Sequence, residues 1–361
     1  MNLSNIQQDI RHSATLPADF YRSATIFQQS GEDLFAKSWQ YVADTDVINT
    51  SPSVYPFTLL PGLLDEPLML THNTDGRRYC LSNVCTHRAK IIVEQPGTPR
   101  LLSCGYHGRC FRLDGTFKSM PSFENVANFP SPADNLTQIP LKEWLGLLFV
   151  SLHPVTSLEQ MIRPIEQRMD WLPLDTLRYV PETSKDYRIN AHWALYCDNY
   201  LEGFHIPYVH PALNQALDFK KYRTEIFDYC NVQIGIADES QPCFTLPEGH
   251  PDYGQNIYAY YWWLFPNLML NFYPWGLSLN LVLPLSQETT LVKFRSYYFE
   301  GTPYNSEANQ LDQTEMEDES VVESVQRGIK SRFYQSGRFS PAMEKGVHHF
   351  HSLVARLMRP Q

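Results

Sequence analysis

The chain has no excess of basic residues. Its 29 Lys and Arg are outnumbered by 39 Asp and Glu, for a formal net charge of -10. No Lys- or Arg-rich run reverses this locally, which argues against nucleic acid as a partner, since a phosphate backbone needs a basic face. No stretch approaches the roughly 18 apolar residues that a spanning helix needs, so no membrane span is expected. The opening residues, MNLSNIQQDIRHSATL, show no basic segment followed by an apolar core, so no secretory signal is expected either. Seven cysteines in 361 residues are too sparse for a disulfide scaffold. The expected setting is cytoplasmic, with free thiols, some of them metal ligands. There is no glycine-rich dinucleotide fingerprint, no internal repeat and no low-complexity tract.

What is present is ordinary for a globular protein: 43% hydrophobic and 19% charged residues. The length suggests two domains. Residues 1–38 read as a helical or irregular segment that packs on the C-terminal domain. Residues 39–152 are short β-type runs between turn residues, with Asp75-Gly76 and Asp114-Gly115 as hairpin signals. Residues 153–361 alternate helix and strand. Within them an aromatic-rich run ends in Leu277, Leu279, Leu281 and Leu283 set against Ser278, Asn280 and Val282, which predicts a half-buried antiparallel strand. From about residue 306 the pattern is helical.

Two constellations carry chemistry. The first is Cys85-x-His87 with Cys104-x-x-His107. In a [2Fe–2S] centre of mixed ligation, two thiolates hold one iron and two imidazoles the other, so each tight loop must offer one sulfur and one nitrogen. Gly105 and Gly108 are expected to let the second loop approach the cluster closely. A Cys2His2 zinc site is the alternative, although a C-x-H half is unusual for a zinc finger. Cys80 and Cys110 fit neither half and read as buried thiols.

The second constellation is Glu202-x-x-His205 followed by His210. Positions i and i+5 do not share a face of an unbroken helix. Pro207 is expected to break the helix so that His210 swings back toward His205. Two neutral imidazoles and one carboxylate make the facial triad of a mononuclear Fe(II) site, with positions left open for dioxygen. The carboxylate is expected from the acidic helix near residue 318. Asp318, Val322, Val325 and Ile329 form one stripe with Asp318 at its head. Glu315 and Glu319 fit that stripe less well, and Glu317 lies further off it. Glu202, among Tyr200, Leu201 and Phe204, needs a partner if buried, and a histidine ring N–H is the obvious one.

With both motifs in this order, the chain resembles the α subunits of Rieske non-heme iron oxygenases over nearly its whole length. The segments CDNYLEGFHIPYVH and MEDESVVESVQRGIKS are most similar to the choline monooxygenase branch, which acts on quaternary ammonium compounds. The resemblance implies an α+β protein: an all-β Rieske [2Fe–2S] domain, then a helix-grip catalytic domain with an antiparallel sheet around a long C-terminal helix. It implies a homotrimer in which the cluster of one subunit serves the iron of its neighbour. Glu202 would then bond a cluster histidine of that neighbour and an iron ligand of its own subunit. A separate NAD(P)H-dependent flavin/iron–sulfur reductase or a ferredoxin would supply electrons, and O2 and a small molecule would be the substrates. Two departures from the family pattern stand out. YHGRCF has Arg109 where many members carry tryptophan, and CTHRAK has Ala89 where glycine is frequent.

The substrate is expected to be a quaternary ammonium compound of the choline, betaine or carnitine kind, hydroxylated or N-demethylated. Tyr258, Tyr260, Tyr261, Trp262, Trp263, Phe265, Phe272, Tyr273 and Trp275 could supply a ring cage for the cation. The alternative for these rings is core packing. Alternative functions are ring hydroxylation of an aromatic substrate and non-catalytic electron transfer. The latter has no use for His205, His210 and Asp318.

Overall fold

A computed structural model describes residues 1–211, 213, 221–237, 241–302 and 308–359, without the side chains of 308–312. The chain divides into two compact units, Phe35–Val155 and Met1–Leu34 together with Thr156–Gln361. Residues 35–38 fall in the β unit, whose two ends zip together: His153 N–H donates to Ala36 O at 2.9 Å and Val155 N–H to Lys37 O at 3.1 Å.

The Phe35–Val155 unit is built from short antiparallel strands: β1 (Gln40–Asp44), β2 (Ser53–Leu59), β3 (Glu66–His72), β4 (Arg78–Ser82), β5 (Leu102–Ser103), β6 (Cys110–Phe111), β7 (Phe117–Ser119), β8 (Gln138–Ile139), β9 (Leu141–Trp144) and β10 (Leu147–Val150). They form three sheets, in the orders β2-β3-β4-β8, β1-β10-β9 and β5-β6-β7. Asp75-Gly76 turns β3 into β4, and Asp114-Gly115 turns β6 into β7. Gly115 has φ +85°, and a Cβ there would stand 2.9 Å from Leu81 Cδ2, so glycine is required. Val54, Met69, Leu81, Leu102, Phe111, Leu113 and Leu136 make the core, with the sulfurs of Cys85 and Cys104 packed against it.

The other unit holds α1 (Ala18–Arg22), α2 (Ala24–Ser30), α3 (Leu158–Met169), β11 (Leu177–Ile189), α4 (Trp193–Tyr200), α5 (Ile206–Val209), β12 (Arg223–Ile226), β13 (Cys230–Ile236), β14 (Ile257–Leu264), β15 (Leu268–Tyr273), β16 (Gly276–Ser286), β17 (Thr289–Phe299), α6 (Ala308–Gly328) and α7 (Lys345–Met358). The seven strands form one antiparallel sheet in the order β11-β17-β16-β15-β14-β13-β12. α4 packs on α6, and α7 covers β12 and β13. Val347, Phe350, His351, Val354 and Met358 are the buried stripe of α7. No described helix is long and apolar enough to cross a membrane.

Three expectations are corrected. β16 is buried on both faces: Ser278 and Asn280 are only 3% and 4% exposed. Its polar face lines an internal cavity rather than solvent. Val325 is 43% exposed, whereas Gln326 and Glu315 are buried beside Val322 and Ile329, so Asp318 lies at the edge of the α6 buried stripe rather than at its head. The helix before His205 ends at Tyr200, ahead of Pro207. The proline instead opens the single turn α5, where a missing N–H costs nothing.

Candidate metal centres

The two cluster loops are built alike. Cys85 O accepts from Ala89 N–H at 3.0 Å, and Cys104 O from Gly108 N–H at 3.1 Å. Cys85 N–H donates to Lys90 O at 2.9 Å, and Cys104 N–H to Arg109 O at 2.8 Å. Each turn needs a left-handed residue at its fourth step beyond cysteine: Ala89 has φ 54° and Gly108 has φ 71°. Of the two glycines singled out in the sequence, Gly108 takes the left-handed step that glycine favours. A Cβ on Gly105 would meet nothing nearer than Lys90 Cε at 3.8 Å.

The turns bury both sulfurs, with Cys85 and Cys104 at 3% and 2% exposure. His87 and His107 reach the surface, with their Nδ1 atoms 3.1 Å apart. Tyr106 stacks on His107 at 3.7 Å. Burial pushes the Cys85 thiol up, and the backbone N–H groups of His87 and Arg88, which bond its sulfur, pull the other way. The His87 ring is held below its usual value, by desolvation first and then by the charges of His107, Arg88 and Arg109. A tetrahedral zinc needs all four donors around one point. Among the described residues, only one group of three or more donors has all its ligand atoms within 4.8 Å, and it is not this one. Paired sulfurs and paired imidazoles fit two irons, each taking one pair. Cys80 and Cys110 stay outside: Cys80 lies in the core, and Cys110 Sγ donates to Gly108 O.

The group that does converge is His205, His210 and Asp318. His205 precedes and His210 follows the α5 turn, which brings their ring centroids to 5.1 Å. Asp318 Oδ1, on α6, lies 3.0 Å from His210 Nε2 and 3.4 Å from His205 Nε2. Gly203 leaves room for the Tyr222 ring, since a Cβ there would be 2.8 Å from Tyr222 Cε1. Each imidazole donates its other nitrogen to a carboxylate: His205 Nδ1 to Glu202 at 2.8 Å, and His210 Nδ1 to Glu317 at 2.7 Å. Those bonds turn both Nε2 atoms toward Asp318, the orientation a metal requires of its histidines. Burial opposes a proton on His210, but the bonds and charges of Asp318 and Glu317 outweigh it and raise its pKa. Geometry and excess negative charge both fit a divalent cation.

Glu317, which lies off the predicted stripe, is the acid that orients His210. The signal that could have found it is demand: two candidate metal-ligating histidines need two outer partners, and Glu202 serves only one. Glu315 takes no part in the triad. It is 5% exposed and accepts from Tyr196 Oη at 2.8 Å. Burial first, and then the charge of Asp318, push its carboxyl well above the usual range. Asp198 was also unassigned by the sequence. It accepts from Tyr21 Oη at 2.7 Å and from His351 Nε2 at 2.8 Å, tying α4 to α1 and α7 one turn before Glu202. Leu16 N–H donates to His351 Nδ1, which sets that tautomer.

A cavity opens beside His205, His210 and Asp318. Of the nine strand aromatics named from the sequence, only Tyr258, Tyr261 and Tyr273 line it. Tyr260, Trp262, Trp263, Phe265, Phe272 and Trp275 are core residues, 9% exposed or less. Tyr196, Tyr200, Tyr222 and Phe294 add further rings to the wall, and Asn271, Ser278 and Asn280 form a polar floor from β15 and β16. Among the described residues lining the cavity there is no lysine or arginine.

Comparison with known proteins shows the family to which the chain belongs. Residues 174–360 match the ring hydroxylating alpha subunit (catalytic domain) family, and residues 38–130 match the Rieske [2Fe-2S] domain. The chain is 29% identical to the carnitine monooxygenase oxygenase subunit of Escherichia coli K12, over 96% of this chain and 94% of that one. It is 28% identical to the chloroplastic choline monooxygenase of Arabidopsis thaliana, over 96% and 83%. The quaternary ammonium Rieske monooxygenase CntA in complex with L-carnitine has the same fold, with TM-score 0.78 at 22% identity over 99% of both chains. So does naphthalene 1,2-dioxygenase from Rhodococcus sp., with TM-score 0.77 at 18% identity over 99% and 96%. The chain belongs to the ring-hydroxylating oxygenase α-subunit family, with a Rieske [2Fe–2S] domain ahead of a catalytic domain that in this family binds mononuclear iron.

Proposed function

We propose that this chain is the terminal oxygenase component that hydroxylates or N-demethylates a small quaternary ammonium compound. In this reading Cys85, His87, Cys104 and His107 hold the cluster, and His205, His210 and Asp318 hold Fe(II). The observation that carries the substrate class is the cavity wall. Tyrosine rings surround a space that no described lysine or arginine enters, and the acids Glu202, Glu315 and Asp318 sit on it. Ring faces attract a desolvated cation by about 2 kcal/mol. An aromatic acid would find no cationic side chain to pair with there. The two named relatives act, by name, on carnitine and choline.

The side chains divide the work. Glu202 and Glu317 hold the two imidazoles so that each presents its Nε2 inward. Glu202 is itself held by the backbone N–H groups of Phe204 and His205. The tyrosine wall orients the substrate and displaces water. Bound iron would supply the activation of O2 that no side chain can perform.

Electrons would come from a separate reductase or ferredoxin, because the chain has no dinucleotide fingerprint. The assembly in this proposal is a homotrimer in which Glu202 joins a neighbour's cluster histidine to His205. The surface position of His107 and the Glu202–His205 bond support the two halves of that link. A cytoplasmic location is part of the same reading, supported by seven unpaired cysteines. The test is oxygen uptake with a compatible reductase across choline, glycine betaine, carnitine, stachydrine and neutral aromatic hydrocarbons. Uptake with at least one quaternary ammonium compound is expected. Uptake confined to the aromatics would overturn the substrate reading.

A further inference from the structure

Arg109 follows Gly108 in the second proposed cluster loop, and its side chain is only 3% exposed. The guanidinium lies 5.0 Å from the ring centre of Phe117, 5.5 Å from that of Phe129 and 5.7 Å from that of Phe111. A buried charge of this kind is costly unless it is paired. The partner is Asp134, in a turn capped by Ser131: Arg109 Nη2 donates to Asp134 Oδ1 at 2.6 Å and to Asp134 O at 3.2 Å. The same carbonyl also accepts from Thr86 Oγ1 at 3.0 Å. Thr86 lies between Cys85 and His87 in the first loop. One residue outside both loops therefore receives a hydrogen bond from each. Ser131 N–H donates to the remaining oxygen of Asp134 at 2.7 Å and fixes it in place.

No disulfide joins the loops, since all seven cysteines are unpaired. We propose that Arg109 and Asp134 form a charge-neutral clasp that holds the two cluster loops together and sets the reduction potential of the cluster. Both are positioning residues, acting on the cluster through loop placement and through the field of the pair. With the pair intact the cluster feels little net charge from it. Removing either member leaves an unbalanced charge of opposite sign, so the two removals act in opposite directions. A surplus negative charge disfavours the reduced cluster, and a surplus positive charge favours it.

This inference rests on the assignment of the cluster to Cys85, His87, Cys104 and His107. The experiment uses the full-length purified protein and measures the cluster's midpoint potential, the electron paramagnetic resonance of the dithionite-reduced form and the rate of iron release to a chelator. Arg109→Met is expected to lower the potential and Asp134→Asn to raise it. The double variant is expected to return near the wild-type potential while still releasing iron about tenfold faster, as befits the loss of charge-assisted bonds. Thr86→Val changes no charge, so faster release at an unchanged potential is expected. If Arg109→Met fails to hold a cluster, the upward shift of Asp134→Asn and the Thr86→Val release rate decide the matter. Shifts of the same sign in the two single variants, no upward shift in Asp134→Asn, or unaltered release in Thr86→Val would overturn the clasp. A wild-type protein without the spectrum of a two-histidine cluster would overturn the ligand assignment as well.

Discussion

The cluster loops place their donors through backbone turns that repeat almost residue for residue, with a cysteine, a bond from the fourth residue beyond it and a left-handed step at Ala89 or Gly108. The proposed iron site, His205, His210 and Asp318, has no such repeat. It joins a one-turn helix at Ile206–Val209 to an acid on a separate helix, and its histidines are oriented by two carboxylates, one from each region. The difference teaches where each site is vulnerable. The cluster site depends on local backbone geometry, and the iron site on side-chain partnerships made across the fold.

The largest effect expected from breaking this contrast is at Asp318. Asp318→Ala removes the one oxygen within reach of both Nε2 atoms. Iron analysis should show loss of the mononuclear iron, and oxygen uptake should fall to background, with the cluster spectrum unchanged. Loss of both metals together would show that the two sites are not built independently. Next comes Glu317→Ala, which frees the His210 ring. Iron titration should show affinity weaker by roughly 10- to 100-fold, the usual consequence of losing an outer partner. An unchanged affinity would make Glu202 the only outer carboxylate that matters.

A smaller effect concerns pH. The Glu315 carboxyl has a folded pKa well above its unfolded value, chiefly from burial. The folded state therefore binds more protons than the unfolded state above pH ~4.5, and stability falls as pH rises from there toward the folded pKa. Glu315→Gln should flatten that fall, seen as a melting temperature that declines less between pH 5 and 7. A slope identical to wild type would mean that the carboxyl is ionised in the fold. The smallest effect is in the cluster loops. Ala89 pays for its left-handed step, so Ala89→Gly should stabilise the Rieske unit by about 1 kcal/mol in denaturant unfolding. Gly108→Ala should cost a similar amount. Equal and opposite changes would confirm that the two loops are one design used twice.

Much of this was legible in residue order. Cys85, His87, Cys104 and His107 stand out as the proposed cluster ligands because the donors of a tight loop must be close in sequence. The hairpins at Asp75-Gly76 and Asp114-Gly115 followed from the same local chemistry. Period-two alternation correctly placed β16 in a sheet but not its polar face, because Ser278 and Asn280 look onto a cavity that only the surrounding strands create. The helical stripe led to Asp318 but misplaced Val325 and passed over Glu317.

By itself, the sequence marked the residues proposed to bind iron and the hairpin turns at Asp75-Gly76 and Asp114-Gly115. Those choices depend on side-chain chemistry and on hydrogen bonds that close within a few residues. Only the tertiary structure decided that Glu317 serves His210, that Glu315 is withdrawn to Tyr196, that three of nine strand aromatics face the cavity and that Asp134 gathers both cluster loops. Each of these pairs residues far apart in the chain, and the packing of sheet, turn and helix brings them within hydrogen-bonding distance.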